Sequence, residues 1–195
     1  MQKVIDAFAM MSSWELLAVA FGIAYVLLAA KESLWTWLFA FLGTLIYTVI
    51  FWEGALVSSS LLNFYYMIMA IYGFILWRGG KSGEELTVTS YPKNQHIELI
   101  STGIVVSLVV GYLSHAYLGA RFAYLDALVL VFSVIATWLL ANKILENWLY
   151  WMVIDAVALF LYFKSEYYAT VVLFALYIIL SFWGYYTWNK RLDEH

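Results

Sequence analysis

The sequence predicts an all-α polytopic membrane protein with seven transmembrane helices, and three observations lead to this fold class. Of the 195 residues, 65 % are apolar and 12 % are charged, whereas a soluble domain has about 45–50 % apolar and about 25 % charged residues. The apolar residues form stretches of about 20, the length that a helix needs to cross a bilayer. These stretches also lack the period-two alternation that is typical of β-barrel strands.

Seven such stretches cover most of the chain, and we expect each to form one membrane-spanning helix. The first begins directly after Ser12, which together with Glu15 three residues later has the spacing of a capping box. The long polar connection covers residues 78–96, and the other connections are short, so consecutive helices should be antiparallel. The predicted spans are 13–30, 34–52, 56–77, 97–118, 122–141, 147–163 and 168–188.

The basic residues in the connections predict the orientation, because cytoplasmic loops carry an excess of Lys and Arg. One side has Lys3, Arg121 and Lys164. The other side has seven basic residues and should be cytoplasmic, which places the N-terminus outside and the C-terminus inside a bacterial inner membrane. These seven are Lys31, Arg78, Lys81, Lys93, Lys143, Lys190 and Arg191.

Composition excludes several classes of function. The net charge of −3 gives no basic surface for nucleic acid. The chain has no cysteine, and its three histidines are scattered, so we expect no metal site, no cofactor and no set of catalytic groups. The sequence therefore does not predict an enzyme.

An internal repeat divides the chain. Residues in the second and third spans match residues in the sixth and seventh spans at a constant spacing of 111 positions. Seven spans then divide into a three-helix bundle at 13–77, a linker helix at 97–118 and a second, parallel bundle at 122–188. Parallel repeats are a transporter architecture with substrate held between the halves, and a duplicated scaffold without a pathway is the minor alternative. The matched pairs are Trp37 and Trp148, Leu38 and Leu149, Tyr66 and Tyr177, Ile68 and Ile179, Gly73 and Gly184, and Trp77 and Trp188.

Polar and aromatic residues inside the spans are the candidate substrate-binding residues. Ionisable groups at membrane depth are costly and therefore suggest function, and Asp126 and Asp155 stand out among them. Aromatic faces and carboxylates together favour a flat, positively charged molecule. The candidates are Asn147, Trp148, Trp151, Asp155, Asn63, Tyr66, Thr137, Tyr177, Trp37, Thr44 and Asp126.

Structural explanations for some of these residues stay open. Asp126 lies near the start of its span and can serve as a helix cap or pair with Arg121, and Asp155 can be a structural hydrogen-bonding group. Tryptophans near span ends are typical of the interfacial belt. We assign Trp14, Trp52, Trp77 and Trp188 to that belt.

The segment from Lys143 to Trp151, followed by Asp155, closely resembles the E-N-W-x-x-W signature of the PnuC family of bacterial vitamin transporters. The Tyr124-Leu125-Asp126 segment and the third- and seventh-span ends, at Trp77 and Trp188, add to a resemblance that covers about residues 13–190. It implies a fold like the SWEET sugar transporters, a possible homotrimer in lipid, and vitamin uptake by facilitated diffusion with metabolic trapping. It also implies that Asn147, Trp148 and Trp151 lie at the substrate site.

Two departures from the family pattern bear on the substrate. Riboside carriers of the family have Gln at the positions where this chain has Asn63 and Thr137. Shorter side chains here favour thiamine over nicotinamide riboside, which remains the alternative, and a riboflavin branch also exists. A vitamin-binding subunit of a larger energised transporter is the further alternative.

Overall fold

The computed structural model describes residues 11–53, 57–79, 86–119 and 122–193, and these residues form seven α-helices. The predicted all-helical fold class is confirmed. The helices are α1 (Ser13–Ala30), α2 (Thr36–Glu53), α3 (Val57–Trp77), α4 (Lys93–Leu118), α5 (Ala123–Ala141), α6 (Asn147–Lys164) and α7 (Tyr168–Asp193).

Four of the described helices, α1, α4, α5 and α7, are long and apolar enough to cross a membrane. Two others contain shorter apolar segments, Thr36–Ile50 and Leu62–Trp77. The polar Asn147, Asp155 and Lys164 lower the mean hydropathy of α6.

Helix ends agree with the predicted spans except where a helix continues beyond its apolar residues. Ser12 and Glu15 form the predicted capping box, with Ser12 N donating to Glu15 Oε2 over 2.6 Å and Glu15 N donating to Ser12 Oγ over 3.2 Å. The fourth helix begins at Lys93, directly after Pro92, and not at residue 97. The last helix extends to Asp193, past the predicted end at residue 188. Hydropathy locates the membrane-embedded part, whereas backbone hydrogen bonding continues through the polar ends.

Helices α1–α3 form one triplet and helices α5–α7 form a second. Together the two triplets form a closed ring, in which contacts run in the order α1, α2, α3, α5, α6, α7 and back to α1. Within each triplet the middle helix packs against the other two. Between the triplets, α1 packs against α7 and α3 packs against α5, which are equivalent contacts under the repeat. The linker helix α4 packs on α5, where Gly103 and Gly111 admit the rings of Phe132 and Tyr124.

The repeat extends to the turns after α1 and α5. Glu32 and Lys143 occupy equivalent positions and both have left-handed backbone, with φ of 54° and 53°. In the first turn Ser33 N donates to Leu28 O over 2.9 Å, and in the second Ile144 N donates to Leu139 O over 3.0 Å. Both turns therefore end their helices with the Schellman pattern, although neither has the usual glycine.

Equivalent tryptophans join the two halves near these turns. Trp37, Trp77, Trp148 and Trp188 form a four-tryptophan cluster, with nearly perpendicular rings 5.1 Å apart in the pair Trp37–Trp77 and 5.4 Å apart in the pair Trp148–Trp188. A third contact, between Trp77 and Trp188 at 6.1 Å, crosses from one half to the other.

The assignment of Trp77 and Trp188 to the interfacial belt was wrong. Their exposed fractions are 7 % and 0 %. Trp77 Nε1 donates to Ala141 O over 3.0 Å, and Trp188 Nε1 donates to Ala29 O over 3.1 Å. Each indole thus caps a helix of the opposite half, a role that position in the sequence does not reveal. The belt residues Trp14 and Trp52 are exposed.

The segment before α4 fastens the linker to the second half. Thr89 pairs with the turn after α5, accepting from Leu145 N over 2.8 Å and donating to Lys143 O over 3.0 Å. Glu146 accepts from Ser90 Oγ and, over 3.3 Å, from Tyr91 N. The turn that carries Lys143 is therefore held from outside the ring.

Replacing Gly184 by Ala should destabilise the four-tryptophan cluster. A Cβ at Gly184 would lie 2.7 Å from the Trp148 ring, and overpacking of this kind costs about 1–3 kcal/mol. Gly43→Ala is the matched control, because its Cβ would be in ordinary contact at 3.5 Å. Thermal unfolding in detergent should show a lower Tm for Gly184→Ala than for Gly43→Ala, and equal Tm values would contradict this assignment.

Candidate functional site

A cavity of about 160 Å³ lies inside the ring, between the two halves. Most of its wall comes from α1 and α2, and α3, α5 and α6 contribute one residue each. Its volume is below the roughly 300–1,000 Å³ of most small-molecule sites, so the site must widen to take a molecule of nucleoside size. The lining residues are Ala18, Gly22, Tyr25, Trp37, Phe39, Ala40, Gly43, Thr44, Tyr47, Tyr66, Thr137 and Trp151.

The hydroxyls of Thr44 and Thr137 give the cavity hydrogen-bond acceptors. Thr44 Oγ1 donates to Ala40 O over 2.8 Å, and Thr137 Oγ1 donates to Ser133 O over 2.7 Å. Because each proton is used within its own helix, the oxygen lone pairs remain available. Trp37, which also lines the cavity, has a donor, Nε1, that is buried and has no hydrogen-bond partner among the described residues.

A carboxyl group lies beside the cavity, one helical turn along α6 from Trp151 of its wall. Asp155 is 3 % exposed and interacts electrostatically with Tyr66 and Tyr177, which are equivalent under the repeat. In the part of the chain that the structure describes, no basic side chain lies within ion-pair distance of Asp155. Its equivalent in the first half is Thr44, so the two halves differ at this position in whether they carry a carboxyl group.

Five of the predicted residues line the cavity: Trp37, Thr44, Tyr66, Thr137 and Trp151. Two more lie beside it, Asp155 and Tyr177, whose hydroxyl would be 2.5 Å from a Cβ at Gly22. Asn63 is half-buried on α3 and is engaged in an interaction of its own. Asp126 lies in the first turn of α5 with its side chain exposed, apart from the cavity wall.

The remaining two predicted residues, Asn147 and Trp148, lie outside the cavity wall. Asn147 is fully buried at the start of α6, and its Nδ2 donates to Ile144 O over 2.7 Å. Trp148 is 2 % exposed and packs on Gly184 within the four-tryptophan cluster. Of the N-W-x-x-W segment, Trp151 is the residue that reaches the cavity. Asn147 contacts the turn before α6, and Trp148 packs in the four-tryptophan cluster.

Sequence reasoning missed the contribution of α1. Ala18, Gly22 and Tyr25 line the cavity, but beyond the capping residue Glu15 in its first turn α1 contains no carboxyl, basic or amide side chain that would draw attention to it. The usable signal was the spacing of two small residues four apart, followed by a tyrosine three positions later, which places all three on one helix face. Small residues spaced in this way allow close approach of helices.

Comparison with known proteins identifies the family to which the chain belongs. A family model described as nicotinamide mononucleotide transporter matches residues 12–190, nearly the whole chain. The chain belongs to this family, that of the PnuC transporters. The resemblance noted from the E-N-W-x-x-W segment is therefore confirmed, and the protein is a multi-pass membrane transporter of the PnuC family, not an enzyme.

Similar PnuC-family proteins differ in the vitamins for which they are named. The chain is 24 % identical to the nicotinamide riboside transporter PnuC of Neisseria mucosa, over 91 % of this chain and 72 % of that protein. It is 27 % identical to the riboflavin/roseoflavin transporter RibM of Streptomyces davaonensis, over 87 % of this chain and 81 % of that protein. It is 23 % identical to the PnuC protein of Escherichia coli, with the same coverage.

A solved structure shows the same fold. The crystal structure of the vitamin B3 transporter PnuC superposes on this chain with a TM-score of 0.78, covering all of this chain and 88 % of that chain, at 22 % sequence identity. This PnuC-family chain thus has the predicted arrangement of two parallel three-helix bundles joined by a linker helix.

Two tryptophans of the PnuC-type N-W-x-x-W segment should respond differently to truncation. Trp148→Ala leaves a void in the buried cluster, and losses of this kind cost about 3–5 kcal/mol. Trp151→Ala shortens a half-buried side chain at the cavity wall, so its loss should be smaller. Thermal unfolding of both variants measures the difference, and a larger loss for Trp151→Ala would contradict the placement.

Proposed function

We propose that this protein carries a flat, cationic aromatic vitamin across the membrane, with nicotinamide riboside as the first candidate. The observation that supports this most is the buried, unpaired carboxylate of Asp155 beside a cavity walled by aromatic rings. A buried charge is costly unless it is paired. A cationic substrate can supply the missing partner, and the ring faces of Tyr66 and Trp151 add cation–π attraction.

The other polar groups fit the rest of such a molecule. A riboside has hydroxyls that can donate to the acceptor oxygens of Thr44 and Thr137 and accept from Trp37 Nε1. Named relatives support the same choice, since those from Neisseria mucosa and Escherichia coli are nicotinamide riboside transporters. The preference for thiamine, based on Asn63 and Thr137, finds no support among the relatives above. Thiamine, also a cationic aromatic, is kept as the second ligand to test.

Transport is proposed to be facilitated diffusion with metabolic trapping inside the cell. Asp155 neutralises the substrate, so no second ion is needed for charge balance in the site. The end of the ring that carries Lys143 and Arg191 is proposed to face the cytoplasm, because the basic residues of the connections are in excess there. The exposed apolar side chains of α4, among them Ile104, Val105 and Leu108, then face lipid.

Asp155→Asn should weaken vitamin binding, and Asp126→Asn should not. Loss of a buried charge interaction costs about 2 kcal/mol or more, which is roughly thirtyfold in affinity. Asp126→Asn is the matched control, because its side chain is exposed away from the cavity. The measurement is the rise in Tm that nicotinamide riboside, thiamine or riboflavin produces on purified protein, since a ligand that binds the native state stabilises it.

The role of Asp155 is judged from the difference in the ligand-induced rise in Tm between Asp155→Asn and Asp126→Asn. We expect the largest rise in Tm with nicotinamide riboside, retained in Asp126→Asn and greatly reduced in Asp155→Asn. An equal rise in both variants would remove Asp155 from the site. A rise in Tm with riboflavin and with neither of the other two vitamins would contradict the proposal that the substrate is cationic.

Counterflow in proteoliposomes that contain this chain alone separates a carrier from a binding subunit. Labelled vitamin should accumulate inside vesicles preloaded with unlabelled vitamin, because a carrier exchanges the two. Vitamin binding without counterflow would instead favour a subunit of a larger energised transporter.

A further inference from the structure

Two charged residues that are equivalent under the repeat contact each other between the halves. Glu32 and Lys143 occupy the left-handed positions of the turns after α1 and α5, and Lys143 Nζ donates to Glu32 Oε2 over 2.7 Å. The second carboxylate oxygen, Glu32 Oε1, accepts from Arg191 Nη1 of α7 over 2.6 Å. One acidic side chain of the first half is thus bound by two basic side chains of the second.

The side chains of Glu32 and Lys143 are shielded from solvent, and both residues have an energetically unfavourable backbone conformation. The side chains of Lys143 and Glu32 are 5 % and 9 % exposed, whereas Arg191 is 45 % exposed. A residue with a Cβ in the left-handed region costs roughly 1–2 kcal/mol, which glycine avoids. The two positions are equivalent under the repeat, and opposite charges occupy them.

A continuous chain of contacts links this pair to the cavity. Trp37 lines the cavity and packs edge-on against Trp77. Lys143 Nζ lies 4.9 Å from the centroid of the Trp77 ring and holds Glu32. A molecule that widens the cavity by displacing Trp37 therefore acts on Trp77, and through it on the ion pair.

The surrounding contacts all join the halves at the same end of the ring. Trp77 donates to the last residue of α5, and Trp188 donates to Ala29 near the end of α1. The ion pair joins the turns at 30–36 and 141–147 themselves, and the two indole bonds end on Ala141 and Ala29, at or next to these turns. Parting of the halves at this end has to break them.

We propose that Glu32, Lys143 and Arg191 form a latch that keeps this end of the transporter closed, and that substrate leaves at this end after the Glu32–Lys143 contact breaks. The part of this proposal that concerns substrate release rests on the transport function proposed above. Closure of this end by the three residues involves this chain alone, so closure can be tested without substrate.

The absence of cysteine in the sequence allows a direct accessibility measurement. Ala40→Cys places one thiol at the cavity wall. A charged, membrane-impermeant methanethiosulfonate is added to inverted membrane vesicles and to spheroplasts, so that each end of the ring is exposed separately. The labelling rate from the latch end should be low in the Ala40→Cys background.

Glu32→Gln in this background should raise the labelling rate from the latch end roughly tenfold or more, the change that a shift of about 1.4 kcal/mol between two states produces. The rate from the opposite end should not rise. Lys143→Arg keeps the charge and should keep the low rate. Glu98→Gln is the matched control, an exposed glutamate at the start of α4.

Arg191→Gln provides a milder variant. It leaves the shielded pair in place, so a smaller increase from the latch end is expected, of a few-fold. A Glu32→Gln rate equal to that of Glu98→Gln would overturn the latch, as would an equal increase from both ends. If Glu32→Gln does not fold, an unchanged rate in Arg191→Gln overturns it. If Glu32→Gln raises the labelling rate as expected but none of the vitamins binds, the latch stands and the proposed substrate is contradicted.

Discussion

The close contact of two equivalent halves through their tryptophans is the constraint on which the rest of this structure depends. Each half places an indole flat over a glycine of its own last helix, and each sends a second indole to the backbone of the other half. This arrangement fixes where the halves meet, and so fixes the cavity on one side of the cluster and the ion pair on the other. Glycine is required at residues 73 and 184 because a Cβ would lie 2.3 Å and 2.7 Å from the tryptophan rings.

The charged groups proposed to act in binding and closure lie at positions where the two halves of the repeat differ. Duplication by itself would give a site with identical walls, but Thr44 in one half corresponds to Asp155 in the other, and Glu32 corresponds to Lys143. The first difference places a single carboxyl group beside the cavity, with which a positively charged substrate can pair. The second turns a contact between equivalent turns into an ion pair, because identical residues at these positions would repel each other.

Much of the fold was predictable from sequence because it follows from hydropathy and from the repeat. Apolar stretches gave the seven helices, and the spacing of Trp37 from Trp148 and of Gly73 from Gly184 gave the division into halves. Helix ends at Lys93 and Asp193 were not predictable from hydropathy, since a helix continues where the apolar residues stop. The burial of Trp77 and Trp188 was missed because an indole near a span end has the same sequence context in a lipid belt and in a helix-capping position.

The site was predictable only in part, for a related reason. Polar residues on the central helices marked Thr44, Tyr66, Thr137 and Trp151, which line the cavity. The sequence signature also marked Asn147 and Trp148, whose side chains are turned into the protein. Membership of a motif does not tell which side chains face the cavity, because that depends on how the neighbouring turn is closed. The wall formed by α1 was missed since small residues and one tyrosine leave no polar pattern.

The most direct test of this account is a structure of the protein determined with nicotinamide riboside bound. The account predicts the pyridinium ring inside the helix ring, between Tyr66 and Trp151 and next to Asp155, with the ribose hydroxyls directed to Thr44 and Thr137. A riboside found outside the ring, on the surface of α4 or in the groove between α5 and α6, would contradict it.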